Sequence, residues 1–120
     1  WVTDEEMLRI LRATDIFIMP SMSEAFGLMA IESMAAGVPV VGFRGTALEE
    51  MIDDGRTGLL VDRGDVEGLR LAMARLIGDA PLRERMGREA SAVAKERYDR
   101  SRYARDTAEF YRRVMEDQRR

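Results

Sequence analysis

Two short apolar runs constrain this chain more than any other feature. Ile16-Phe17-Ile18-Met19 is closed by Pro20, and Pro39-Val40-Val41-Gly42-Phe43 follows some twenty residues later. Neither run alternates polar with apolar residues, so neither offers water a face. Runs this short and this continuous suit strands buried on both sides, the usual condition in a parallel sheet. Between them, Phe26–Ala36 reads as a helix. Gly37 fits the left-handed position after that helix, and Pro39 marks its stop. Gly42 in the second strand leaves room for a close approach to the backbone.

The rest of the chain repeats the alternation. Thr3-Asp4-Glu5-Glu6 has the form of a capping box, with Thr3 as N-cap and Glu6 three residues on. It opens a helix with an apolar face of Met7, Leu8, Ile10 and Leu11 that ends near Arg12–Thr14. Gly45–Ile52 reads as a loop with one helical turn, and Asp53-Asp54-Gly55 as a turn. Thr57–Val61 reads as a third strand. Asp65 caps a helix carrying Val66, Leu69, Leu71, Met73, Leu76 and Ile77, and Gly78–Pro81 breaks it. Two more helices follow, about 81–97 and 101–116, with Asp117–Arg120 expected to fray. The order α-β-α-β-turn-β-α-α-α predicts a parallel α/β layer with a small sheet of three strands. A sheet this small has an edge open to a further strand. Residue 1 is Trp, so we expect the chain to be a piece of something longer.

Composition narrows the function. The 120 residues suit one domain, and 46% apolar with 34% charged residues is a soluble globular balance. The net charge of −3 argues against a nucleic-acid footprint, which would be basic. No apolar run reaches the ~18 residues of a membrane span, although contact with a membrane surface stays open. The chain has no cysteine and no histidine. Disulfides, thiolate or imidazole metal sites and imidazole acid–base chemistry are therefore excluded within it, and no metal or cofactor is expected. A reducing, cytoplasmic setting fits this usage.

Against that background, "SEAFGLMAIE" (residues 23–32) stands out for its two glutamates in an apolar stretch. Ligands of open α/β sheets bind outside the carboxyl ends of the strands, and Ser21–Phe26 leaves the first strand there. The free N–H groups and dipole at the start of the following helix favour an anion, and Gly27 has no side chain to hold a phosphate away. Glu32 lies roughly 7.5 Å further along the helix axis, at about 1.5 Å per residue. Its neighbours Leu28, Met29, Ala30, Ile31, Met34, Ala35 and Ala36 leave almost no polar face. A carboxylate there needs solvent, an arginine or a hydrogen-bond donor such as a ribose diol. Glu24 lies on the other side of the phosphate seat, where a sugar would sit.

The run "PSMSEAFGLMAIESMAAGVPVV" (residues 20–41) resembles the signature of GT-B glycosyltransferases, in particular the retaining enzymes of glycosyltransferase family 4. The hallmark is Glu, seven residues, Glu, with Phe-Gly inside and a Met-Ala-x-Gly-x-Pro-Val-Val tail. "GTALEEMIDDGRTGLLVD" (residues 45–62) is similar to the segment that follows in that family. The resemblance covers most of residues 4–115. It implies an α/β fold, a partial Rossmann-like parallel sheet layered with helices, forming the C-terminal half of a GT-B nucleotide-sugar-binding domain. Residues 1–120, including C-terminal helices over 81–117, would be a fragment of that domain.

The resemblance also implies roles. Glu32 would hold the nucleotide ribose. Glu24 would contact the donor sugar and is the candidate catalytic residue. The amides around Phe26, Gly27 and Leu28 would approach the diphosphate or sugar of a nucleoside diphosphate sugar, without a metal. The basic groups would come from an earlier part of the same domain, and the acceptor site and a frequent catalytic His from the N-terminal domain of the parent. The fragment alone would be inactive, and its last helix, with Tyr103, Phe110, Tyr111 and Val114, would offer a surface for self-association.

Plainer readings stand beside these. Glu32 could meet an arginine or water, Glu24 could be a solvated loop residue, and Gly27 could serve helix–strand packing. Gly45-Thr46 could be a plain turn or have a role near the donor. Glu49 and Glu50 read as capping or solvent residues, the nine methionines as core filler, and the arginines of 83–120 as solvated helix faces. Two rival functions are a non-catalytic nucleotide-binding α/β module and a GT-B sugar-nucleotide epimerase.

Overall fold

The computed structural model describes residues 1–117, so of the expected frayed end only Asp117 is seen, as the last residue of a helix. The elements are α1 (Asp4–Arg12), β1 (Phe17–Met19), α2 (Leu28–Ala35), β2 (Val40–Phe43), α3 (Leu48–Met51), β3 (Gly58–Val61), α4 (Val66–Gly78), α5 (Ala80–Tyr98) and α6 (Arg100–Asp117). The sheet runs β1-β2-β3 and every pairing is parallel. This is the α/β layering that the apolar runs predict.

The register explains why β2 can be apolar throughout. Val41 pairs with Leu59, and both face a core formed with Ala72 and Leu76 of α4 and Leu82 and Met86 of α5. Val40 and Leu60 point to the other side, where Ala30 and Met34 of α2, Leu48 and Met51 of α3, and Ala90 and Val93 of α5 close over them. All four residues of β2 are buried, so alternation along the strand sends apolar side chains into two cores. Gly42 permits the close approach expected of it. A Cβ there would lie 2.4 Å from Leu48 Cδ1, and α3 sits on the sheet at that point.

Helix ends follow local chemistry. Thr3 and Glu6 form the expected capping box: Glu6 N–H donates to Thr3 Oγ1 at 3.2 Å and Thr3 N–H donates to Glu6 Oε2 at 2.7 Å. Asp65 accepts from Gly68 N–H at 2.8 Å and starts α4 as predicted. α5 begins at Ala80, inside the expected break. Asp79 caps it by accepting from Leu82 N–H at 2.9 Å, and Pro81 is tolerated in the first turn, where no intrahelical donor is needed. The α5–α6 junction is the single residue Asp99, whose Oδ1 accepts from Ser101 and Arg102 N–H at 2.9 and 3.0 Å.

Two helices are less buried than their patterns suggest. In α1 only Leu11 is buried, while Leu8 and Ile10 are exposed. In α6 no residue is buried, and Tyr103, Phe110, Tyr111 and Val114 all lie open. No helix among the described residues is long and apolar enough to cross a membrane.

Candidate functional site

Three loops leave the carboxyl ends of the strands, and the first carries Glu24. Its side chain is half-buried and turned back onto the helix that follows. Glu24 Oε1 accepts from Phe26 N–H at 3.3 Å and from Gly27 N–H at 3.0 Å. A carboxylate at a helix N-terminus is stabilised by the dipole as well as by the hydrogen bonds. Glu24 is also tied through its main chain, because its carbonyl accepts from Ala47 N–H at 3.0 Å. It is therefore not a freely solvated loop residue.

Gly27 stands just before α2 rather than inside it, and this shortens the expected helix to Leu28–Ala35. It is the N-cap, with φ +77° in the left-handed region that only glycine enters without strain. It is also buried, and a Cβ there would press on Leu48 Cδ2 and Met51 Sδ at 3.3 Å each. The bare side of Gly27 thus faces α3. The packing role is present in the structure, and a Gly27→Val change would strain the fold before it blocked any anion.

The helix start has two kinds of amide. Those of Phe26 and Gly27 are taken by Glu24. Those of Leu28 and Met29, the first two helical residues, have no partner among the described residues. α2 has no acidic residue in its first turn, so its positive end is uncompensated there except by Glu24.

Glu32 sits elsewhere on α2. It is half-buried and lines an open cleft of about 580 Å³ between α2 and α1, with Met7, Leu8, Leu11, Asp4 and Arg12 on the opposite wall. Its carboxylate has no hydrogen-bond or ion-pair partner among the described residues. The side chains of Phe26 and Leu28 turn to a second groove of about 540 Å³ at the α5–α6 junction, beside Tyr98 and Tyr103. Burial raises the Tyr98 phenol above its ordinary pKa, and the neighbouring Arg97 guanidinium works against that shift. Glu24, Phe26 and Gly27 are thus joined by hydrogen bonds, while Glu32 opens into a separate cleft. No group of three or more Asp and Glu side chains among the described residues could hold a metal ion.

Sequence reasoning missed two parts of this arrangement. The first is α1 as the wall facing Glu32; the incomplete burial of Leu8 is the trace of that open cleft, and no periodicity reveals it. The second is the segment 45–47, which reaches Glu24 from the end of β2. Glu49, read as a capping or solvent residue, caps no helix end; its Oε2 accepts from the loop N–H of Gly45 at 2.9 Å.

Residues 1–93 match the family profile described as "Glycosyl transferases group 1". A D-inositol 3-phosphate glycosyltransferase of Paenarthrobacter aurescens (strain TC1) is 40% identical over 95% of this chain and 28% of its own length. Among solved structures, sucrose-phosphate synthase from Thermosynechococcus elongatus superposes with a TM-score of 0.87 at 28% identity, over 96% of this chain and 29% of that one. HepE of Anabaena, solved in complex with UDP-glucose, superposes with a TM-score of 0.81 at 25% identity, over 86% and 29% of the two chains. The solved structures this fold resembles are GT-B glycosyltransferases. The chain spans little more than a quarter of the length of the curated relatives it matches.

Proposed function

The chain belongs to the glycosyl transferases group 1 family, and from that premise we propose that it is the donor-binding part of a retaining glycosyltransferase. On this reading, residues 1–120 are the C-terminal portion of the nucleotide-sugar-binding domain, α5 and α6 included. The longer parent moves a sugar from a nucleoside diphosphate to an acceptor. Its N-terminal domain supplies the acceptor site, and an earlier part of the nucleotide-sugar-binding domain supplies the basic groups that face the diphosphate. The isolated chain binds donor weakly and does not catalyse.

The observation that carries the proposal is Glu32, a carboxylate with no protein partner, in an open and mostly apolar cleft. Two ribose hydroxyls would satisfy it. Leu28 and Met29 N–H, with the positive end of α2, would hold the diphosphate. Glu24 would keep Oε1 on its own helix and present Oε2 to a hydroxyl of the donor sugar. The bond from the anomeric carbon to the diphosphate oxygen breaks with its electron pair leaving on the diphosphate. The acceptor oxygen attacks the same face and passes its proton to the departing phosphate oxygen. No side chain of this chain acts as a nucleophile.

The test is a donor screen on the longer parent, beginning with UDP-glucose, with the anomeric configuration of the product read by NMR. Transfer with retained configuration is the expected result. Inverted product would overturn the retaining mechanism. Binding without transfer to any acceptor would leave a nucleotide-binding module instead.

A further inference from the structure

The loops that follow the three strands are stitched together across the sheet by main-chain atoms of the segment 45–47. Gly45, at φ +70°, has both of its polar atoms held by charged side chains. Its N–H donates to Glu49 Oε2 at 2.9 Å, and its carbonyl accepts from the Arg63 guanidinium, just past the end of β3. Thr46 Oγ1 donates to the carbonyl of Phe43 at 3.1 Å and accepts from Leu48 N–H at 3.3 Å. Ala47 N–H then donates to the carbonyl of Glu24 at 3.0 Å. The first and third loops also lie side by side, for a Cβ on Gly64 would stand 3.9 Å from Met22 Cε. The connection therefore runs from the loop after β3, over the end of β2, to the loop residue after β1 whose carboxylate holds the Phe26–Gly27 turn before α2.

We infer that Arg63 is a positioning residue for Glu24, acting through Gly45 and Ala47. Arg63 is solvent-exposed, and no core contact explains it. Its bond to a carbonyl is charge-assisted and directional. The left-handed turn at Gly45 suits glycine, and the Arg63 guanidinium packs against its bare face, with Nη2 3.4 Å from where a Cβ would stand. With the guanidinium in place, Gly45 is held on both sides and Ala47 N–H meets the Glu24 carbonyl. Without it, the segment keeps Glu49, Thr46 and, just ahead of it, the Arg44 N–H bond to the Val61 carbonyl at 2.8 Å, but loses its tie to the loop after β3, and the Glu24 carboxylate loses precision. The functional part of this inference rests on the proposal that Glu24 faces the donor sugar.

Two arms of one experiment on the longer parent separate the clamp from that proposal. The first is ligand-free: hydrogen exchange in wild type, Arg63→Met, which keeps the stem and loses the donors, and Arg63→Lys. Exchange at Ala47 and Gly27 should quicken by about tenfold in Arg63→Met, the loss of one charge-assisted bond. Arg63→Lys should restore part of it, and α4 and α5 should be unchanged. Unchanged exchange at Ala47 overturns the clamp. The second arm compares binding of UDP and UDP-glucose. Arg63→Met should leave UDP affinity as it is and lower kcat with UDP-glucose more than it raises KM, non-additively with Glu24→Ala. Equal loss for UDP and UDP-glucose would mean that Arg63 touches the diphosphate itself, and overturns the positioning role. If Glu24→Ala leaves the distinction between UDP and UDP-glucose intact while the exchange result holds, the clamp stands and the sugar role of Glu24 falls.

Discussion

The Gly27 N–H donates to Glu24 Oε1 at 3.0 Å, so the first glutamate of the pair holds the turn that leads into the helix carrying the second. Removing that acceptor destabilises the fold as well as the site. Glu24→Ala should lower stability by ~0.5–1.5 kcal/mol, the net worth of an intramolecular hydrogen bond. Glu24→Gln, which keeps an acceptor, should lower it less. Urea midpoints of the three proteins check this, and an unchanged midpoint in Glu24→Ala would show that the turn contributes nothing to stability.

Glu32 has the opposite character: it has no protein partner to lose. Glu32→Ala should leave stability unchanged or improve it, because a half-buried carboxylate leaves an apolar wall. In the longer parent the same change should weaken nucleoside diphosphate binding by ~1.5–3 kcal/mol, roughly 10- to 150-fold, through the loss of a charged acceptor for the ribose. Calorimetry with UDP measures it. Unaltered affinity would remove Glu32 from the ribose site.

Tyr98 links stability to alkaline pH. Burial raises its pKa in the folded chain. The unfolded chain then releases the phenolic proton first, and the folded state binds more protons above about pH 10. Stability from this group is complete below that pH and is lost as pH rises through the folded pKa. Tyr98→Phe should flatten this part of the alkaline decline in thermal melts, and an identical decline in both proteins would exclude Tyr98 as its source.

Self-association of the isolated chain is the fourth expectation. β1 pairs only with β2, so its outer edge is open, and α6 exposes Tyr103, Phe110, Tyr111 and Val114 along one side. Open strand edges and apolar stripes both recruit partners. Sedimentation should show mass rising with concentration, and Tyr111→Glu with Val114→Glu should reduce the effect. A monomer at every concentration would defeat the expectation.

Much of the fold was legible because its signals are local. The continuous runs at Ile16–Met19 and Pro39–Phe43, the capping box at Thr3 and Glu6, Asp65 before α4 and Gly37 after α2 each report on a few neighbouring residues. The boundaries that shifted did so for local reasons with tertiary causes. Gly27 is drawn out of α2 because α3 packs against its bare face. α5 starts early because Asp79 caps it ahead of Pro81. α1 and α6 were legible as helices but not as partly open ones, since an apolar stripe records what a surface can bury and not whether anything covers it.

The sequence alone determined the parallel α/β layer, the placing of Glu24 in a loop and Glu32 on a helix, and the family whose pattern they share. The first two follow from periodicity, spacing and residue type, which act over one element, and the family from the likeness of its motif. Only the tertiary structure decided that Glu24 is pinned by Phe26, Gly27 and Ala47, that Glu32 opens into a cleft walled by α1, and that Arg63 reaches Gly45 across two loops. Those contacts join residues from different strand ends, and they exist only once the parallel register sets the three loops side by side.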